Sequence, residues 1–328
     1  MVVPNLYWPV YKNLEKEFLE LANFIHIDDD QLYIYSMHIA DLIVRCVVEI
    51  EAISKELYKN LGGNMSPVDN EGKPRDLYFD TDCLNLLEQH WILSKKKITI
   101  SAATVYLIKP ENTIILPLHK AFKRGTSGSK WKQAYQAVKH DRKESLKSAT
   151  IRNLLYALGA LYILNLYYKD ERIDIGRVYL GDNDFDSRAG SEIFSTFSYK
   201  ATSLSVGKHL DDNCILTPNN QIDESIFIVK YDDKSIREMH KNFCLDAEIT
   251  EQRFANSPII ANYLATHPED SGLSINEICM KAGGINLLQT IICFDHAREE
   301  KSSRTEAVLN KHSSIYPELS PLDQKATS

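Results

Sequence analysis

Four consecutive residues that could do chemistry, Lys139, His140, Asp141 and Arg142, follow two aromatic residues in the stretch "WKQAYQAVKHDR". Arginine offers a planar fork that binds phosphate, and histidine is the side chain whose ordinary pKa lies near neutrality. A histidine and an arginine that meet at a phosphodiester can bind it and move protons during its cleavage. We therefore identify His140, Arg142 and Lys139 as candidate catalytic residues, with Asp141 in support.

A helix over residues 130–143 would place these four residues on different faces. At helical spacing the two aromatic residues share one face with Val138 and Arg142, whereas His140 lies on the next face and Lys139 on a basic one. Only two or three of them can then meet one ligand, and only with help from a second helix. The alternative is that the aromatic stripe is ordinary core, that Arg142 pairs with an acidic residue and that His140 is solvated.

A long helix predicted between the acidic run 28–30 and the Gly62–Gly63 pair is the element that could provide such help. Its apolar circumference is interrupted by one polar stripe, with spacings of three and four when Ala52 is counted between the last two residues: His38, Asp41, Arg45, Glu49 and Glu56. The stripe is either an exposed face or a polar seam that meets another helix. In the second case Arg45 and Glu49 would support the candidate catalytic residues across a groove.

The segment from His119 to Lys147 is strongly basic. It carries +7, which leaves −14 on the rest of a chain whose net charge is −7. Such a basic segment attracts phosphates, although acidic neighbours in the fold could also neutralise it. The candidate nucleic-acid contacts are Lys120, Lys123, Arg124, Lys130, Lys132, Lys143 and Lys147.

Hydrophobic periodicity predicts a mainly α protein. Four regions are expected: a helical bundle over 1–170, a small β-rich insert over 171–234, a C-terminal helical region over 235–300 and a loosely ordered tail over 301–328. The stretch "TVYLIKPENTIILPLHK" predicts a hairpin or two short extended segments. Leu154–Tyr168 is almost free of charge but shorter than the about 20 residues that span a bilayer, so we expect a helix buried on all sides.

A tryptophan, a helix that ends in "KHDR" and a following Asn-bearing apolar helix, "IRNLLYALGALYILNLYY", together resemble the HEPN-like helical bundles of prokaryotic proteins. The resemblance covers about Asp30 to Tyr168. It implies a bundle that is often dimeric and is associated with RNA cleavage in toxin–antitoxin and anti-phage systems. The hallmark of active members, an arginine followed after four to six residues by a histidine, is absent. Either "KHDR" is used differently here, or the bundle has been kept without the nuclease.

Other classes of site are not indicated by the sequence. Six scattered cysteines form no local zinc knuckle or redox pair and fit a reducing cytoplasm, so neither a metal nor a cofactor is predicted. The N-terminus lacks the pattern of a signal peptide. The first hypothesis is a cytoplasmic HEPN-like protein that binds RNA or another phosphate-rich ligand, as a ribonuclease of anti-phage defence or stress. The second is a non-catalytic component that dimerises or holds a partner protein.

Overall fold

The computed structural model of the chain describes residues 5–177, 185–201, 220–296 and 303–313. These residues are mostly helical, as the periodicity predicts. The helices are α1 (Tyr7–Leu21), α2 (Met37–Asn60), α3 (Asn85–Trp91), α4 (Pro110–Thr113), α5 (Lys130–His140), α6 (Arg142–Ser145), α7 (Ile151–Lys169), α8 (Asn220–Glu224), α9 (Asp233–Ala255), α10 (Pro258–Thr266) and α11 (Ile275–Ile291).

Helix α7 lies at the centre of the bundle. The Thr150 hydroxyl caps it by accepting the Asn153 N–H at 3.2 Å, and its apolar residues are buried around the whole circumference. Helices α1, α2 and α5 pack against it. The prediction of a helix buried on all sides is therefore confirmed. In the described part of the chain, no helix is long and apolar enough to cross a bilayer.

Helix α2 is the main neighbour of α7 and starts later than its acidic flank suggests. Asp28 instead accepts the N–H of Gln31 at 3.1 Å and so begins a short 3-10 turn. The α-helix itself begins after Ser36, whose hydroxyl accepts the Ile39 N–H at 3.1 Å. It ends at Asn60, before Gly62 adopts a φ of 79°.

Strands form three small sheets in the described residues. The strands are β1 (Ile27–Asp28), β2 (Ile98–Ile100), β3 (Val105–Tyr106), β4 (Ile114–Ile115), β5 (Ile173–Arg177), β6 (Phe194–Thr196), β7 (Ser198–Lys200), β8 (Phe227–Tyr231) and β9 (Arg304–Leu309). Strands β1 and β3 pair in parallel, a second sheet has the order β4-β2-β6, and a third has the order β5-β9-β8-β7. Because β3 and β4 pair with different strands, the segment around Pro110 forms two short extended segments and no hairpin.

Two of these pairings connect regions that the sequence separates. Strand β6, from the β-rich insert, pairs with β2 of the bundle region, so the insert shares a sheet with the bundle. Strand β9 lies in the expected loosely ordered tail, yet it is a largely buried inner strand between β5 and β8. That expectation was wrong for 304–309, because a six-residue strand carries too little local signal to reveal a partner far along the chain. Residues 314–328 lie outside the described part.

The C-terminal helices have a small core of their own. Ile260 of α10 packs with four buried residues that follow it along the chain: Ile278, Cys279, Leu287 and Ile291. Ser257 caps α10 before Pro258, so that α9 and α10 are separate helices. A φ of 67° at Gly284 kinks α11.

A buried lysine joins the end of β9 to the start of β2. Lys96 is fully buried, and its Nζ lies 3.1 Å from Nε2 of His312. Burial lowers the pKa of Lys96 to about 7 and that of His312 to about 4, and the nearby Lys96 lowers the pKa of His312 further. The C-terminal strand is therefore anchored beside an amine that is only partly protonated at neutral pH.

Lys96 is expected to make stability rise with pH. Its pKa is about 7 in the folded protein and has the ordinary value of 10.5 in the unfolded chain, so the unfolded chain binds more protons between these values. The free energy of unfolding should rise by at most about 1.4 kcal/mol per pH unit through this one group. In denaturant titrations, Lys96→Met should remove this rise, whereas Lys59→Met, at the exposed end of α2, should keep it. Parallel pH curves for wild type and Lys96→Met would show that Lys96 does not titrate in this range.

Candidate functional site

The aromatic stripe of α5 belongs to the core of the bundle. Trp131 is fully buried, and its Nε1 donates a hydrogen bond to the carbonyl oxygen of Pro117 at 2.8 Å. Tyr135 and Val138 are buried on the same side of the helix. The simpler interpretation of this face is confirmed, and none of the three apolar side chains is available to a ligand.

Helix α5 ends within the "KHDR" stretch. Its last residue is His140, because Asp141 leaves the helical region with φ −147° and ψ 79°. The Asp141 carboxylate then accepts the N–H of Glu144 at 3.2 Å and caps the short helix α6. The prediction of one helix to Lys143 is therefore wrong, and so is the placement of Arg142 on the aromatic face. Asp141 has a structural role as a helix cap.

The three candidate catalytic residues are exposed, and no contact between them is found in the described residues. Lys139 Nζ lies 5.5 Å from the centre of the Tyr135 ring. Arg142 forms an exposed ion pair with Asp41, with 3.1 Å between Nη1 and Oδ1. His140 is exposed at the last position of α5. In the described residues nothing buries these side chains together in one cleft.

The expected supporting pair is not assembled around them. Arg45 pairs with Glu17 of α1, with 2.7 Å between Nη1 and Oε2. Glu49 is partly buried, and burial raises its pKa more than the nearby Arg45 lowers it. Of the polar stripe on α2, Asp41 is the residue that contacts Arg142, so the groove predicted between Arg142, Arg45 and Glu49 is not formed by direct contacts.

Lys132 was expected among the nucleic-acid contacts, but it is buried. Its Nζ donates to Asp80 Oδ2 at 3.0 Å and to the carbonyl oxygens of Ala121 and Lys123 at 2.7 and 2.8 Å. These three acceptors use all the donors of one ammonium group. Lys132 therefore holds α5 against the preceding loop and does not face a ligand.

Asp80 is a structural residue that the sequence pattern missed. Asp80 lies in a π-helix over Phe79–Leu84, where it is buried and contacts Lys132 of α5. Burial raises its pKa, but hydrogen bonds from Lys132, the Thr81 N–H and Arg124 outweigh this, and the pKa is lowered overall. Its position next to Phe79 in "YFDTDCLNLL" is the one local sign that this acid faces inward.

Arg124 links this buried pair to the surface. Its guanidinium lies 3.7 Å from the centre of the Tyr78 ring, and Nη2 donates to Asp80 Oδ1 at 3.2 Å. About half of the side chain, 51%, remains exposed. A guanidinium that is fixed on an aromatic ring in this way offers a flat, charged face to solvent.

Six basic side chains of the segment stay exposed and have no ion pair within 4.0 Å in the described part of the chain. They are Lys120, Lys123, Lys130, Lys139, Lys143 and Lys147. We call these six residues the basic surface. It includes most of the expected nucleic-acid contacts, without the buried Lys132 and the ion-paired Arg124.

Comparison of the chain with models of protein families, with curated proteins and with solved structures found no significant match. The HEPN-like resemblance therefore stays a prediction.

The Lys132–Asp80 pair should be essential for stability. Removal of one partner from a buried ion pair leaves the other charge unpaired and costs roughly 3–5 kcal/mol. We expect Asp80→Asn and Lys132→Met each to lower the free energy of unfolding by about this amount, and the double variant to lose less than the sum. Denaturant unfolding gives the values. Lys130→Met, an exposed lysine of the same helix, is the control and should change stability by less than about 0.5 kcal/mol.

If the two single variants have additive effects, Lys132 and Asp80 do not act as a pair, and the burial of the lysine would need another explanation.

Proposed function

We propose that this protein binds RNA through the basic surface and the neighbouring Arg124. The observation that carries the proposal is the set of six exposed lysines that form no ion pair within 4.0 Å in the described residues, on a chain that is otherwise strongly acidic. Lysines without partners attract phosphates over distances of about 10 Å at moderate salt. Because the rest of the chain is acidic, we expect such attraction to be limited to the basic surface.

Arg124 and Tyr78 favour a single-stranded ligand. Bases that are not paired stack on aromatic rings and on arginine planes, and this contact adds about 1–3 kcal/mol per base without sequence preference. The Arg124 guanidinium already lies against Tyr78 and is half-exposed. The HEPN-like resemblance, which is associated with RNA, agrees with this choice of ligand.

The arrangement supports binding better than cleavage. A general acid or base must lie within about 3 Å of the atom whose proton it moves, and the phosphate must be held beside it. His140 has no hydrogen-bonding side chain beside it in the described residues, and Arg142 is paired with Asp41. Electrostatic binding, in contrast, needs only charges on one surface. A place in anti-phage defence follows from the resemblance alone.

Charge reversal within the basic surface should show whether RNA binding depends on these lysines or only on the net charge of the protein. Lys139→Glu/Lys143→Glu/Lys147→Glu should weaken binding of single-stranded RNA by at least about tenfold and reduce the salt slope by roughly two, because each phosphate contact contributes about 0.7. The matched control is Lys234→Glu/Arg237→Glu/Lys241→Glu, which makes the same charge change at three exposed positions of α9. Fluorescence anisotropy at several salt concentrations measures both quantities. Equal losses in the two triple variants would contradict the proposal.

Cleavage is tested separately with His140→Ala. If the protein only binds RNA, the affinity of this variant for RNA should stay within about twofold of the wild-type affinity. One exposed imidazole contributes little to binding that many phosphate contacts share. Loss of RNA degradation in His140→Ala, with binding intact, would instead establish the ribonuclease. If wild type neither binds nor cleaves RNA at low salt, the non-catalytic interaction protein becomes the better account.

A further inference from the structure

Three side chains with metal-binding atoms meet in the C-terminal helical region. Asp246 lies on α9, while Cys293 and His296 lie in the segment that follows α11. One ligand atom from each lies within 4.8 Å of the others. The segment is fixed beside α9 because the Cys293 N–H donates to the Thr250 hydroxyl at 2.9 Å. The cluster is therefore set by backbone and side-chain contacts and does not depend on mobile side chains alone.

Hydrogen bonds to one carboxylate oxygen hold the three residues together. Asp246 Oδ1 lies 2.8 Å from His296 Nδ1 and 3.2 Å from Cys293 Sγ. In a tetrahedral zinc site the ligand atoms lie 2.0–2.3 Å from the metal, and thus about 3.3–3.6 Å from one another. The two distances to Asp246 have to lengthen by a few tenths of an ångström to reach these separations, and the ligand atoms of Cys293 and His296 already lie within 4.8 Å of each other.

The composition of the cluster fits a transition metal better than calcium or magnesium. Thiolate sulfur and imidazole nitrogen are ligands that Zn²⁺ prefers, whereas Mg²⁺ and Ca²⁺ take oxygen ligands. Cys293 and His296 are separated by two residues, a common spacing of paired zinc ligands. Because the prediction from the sequence considered only cysteines close to one another, it did not include a metal at a site made of one cysteine, one histidine and a distant aspartate.

The same surroundings argue against Cys293 as a nucleophile. Its Sγ lies beside two carboxylates, at 3.2 Å from Asp246 and 3.6 Å from Asp295, and no described contact joins it to the His296 ring. Negative neighbours oppose formation of a thiolate, and a divalent cation reverses this effect. A buried thiol between two acids is thus better suited to a metal than to covalent chemistry.

We propose that Asp246, Cys293 and His296 form a zinc site that joins α9 to the segment after α11. On binding, Zn²⁺ replaces the proton of the Cys293 thiol, which goes to solvent, and the Sγ–Zn bond forms. His296 coordinates through Nδ1 and carries its proton on Nε2, on a ring whose side chain is 44% exposed. Water takes the fourth position. The small core of α10 and α11 gains a cross-link to α9 in this way.

Cobalt provides a direct test on the full chain after removal of metals with EDTA. We expect Co²⁺ to give the sulfur-to-metal absorption of a thiolate ligand and the visible bands of a tetrahedral site, at one ion per chain, with displacement by Zn²⁺. Zn²⁺ should also raise the Tm, and the same concentration of Mg²⁺ should not. If folded wild type shows neither the cobalt spectrum nor a zinc-dependent rise in Tm, the proposal is overturned.

Variants then assign the ligands. Cys293→Ser should abolish the sulfur-to-cobalt absorption, and Cys293→Ser, Asp246→Asn and His296→Gln should each weaken Co²⁺ binding by at least about 100-fold. The matched control is Cys244→Ser, which removes a partly exposed thiol of α9 that lies 3.9 Å from the His240 ring. Cys244→Ser should leave the cobalt spectrum and the affinity for Co²⁺ unchanged. A spectrum lost in Cys244→Ser and kept in Cys293→Ser would place the metal elsewhere and overturn the assignment.

Discussion

The burial of α7 on all sides is the constraint on which the rest of the structure depends. An apolar helix without a polar face requires partners around its whole circumference. Gly159 meets this need on one side, because a Cβ there would lie 2.8 Å from Ile98 and 2.9 Å from Pro117. On another side the Tyr167 hydroxyl donates to the carbonyl oxygen of Asn310 at 2.7 Å, just after β9. Segments far apart in the chain are thus brought together by one helix.

This requirement also shapes the basic surface. Helix α5 helps to cover α7 with Trp131, Tyr135 and Val138, so its apolar side is used entirely for packing. The outward side of α5 is left to polar and charged residues, which include Lys130 and Lys139. The break at Asp141 leaves His140 at the end of α5 and Arg142 at the start of α6. The candidate catalytic residues are therefore divided between two helices.

Features set by neighbouring residues could be predicted from the sequence, and features set by distant residues could not. The apolar residues 154–168 are enough to predict that their helix is buried. The spacing of the aromatic residues on α5 is enough to predict which face of that helix points inward. The end of α5 at Asp141 depends on a competition between capping and helix continuation that periodicity does not weigh. Lys132 and Asp80 are 52 positions apart, and Arg304–Leu309 pairs with strands far earlier in the chain. No local pattern specifies such partners.

A count of basic residues therefore overstates the charge that a ligand meets, because each lysine has a different environment. Lys96 is buried beside His312 and is only partly protonated at neutral pH, since few charges offset its burial. Lys132 is buried too, but Asp80 and two carbonyl oxygens replace the water that it loses. Lys139 stays in solvent and keeps its field available to phosphate. Binding by the basic surface thus depends on the exposure of its lysines and on the absence of close ion pairs in the described residues, both of which the fold determines.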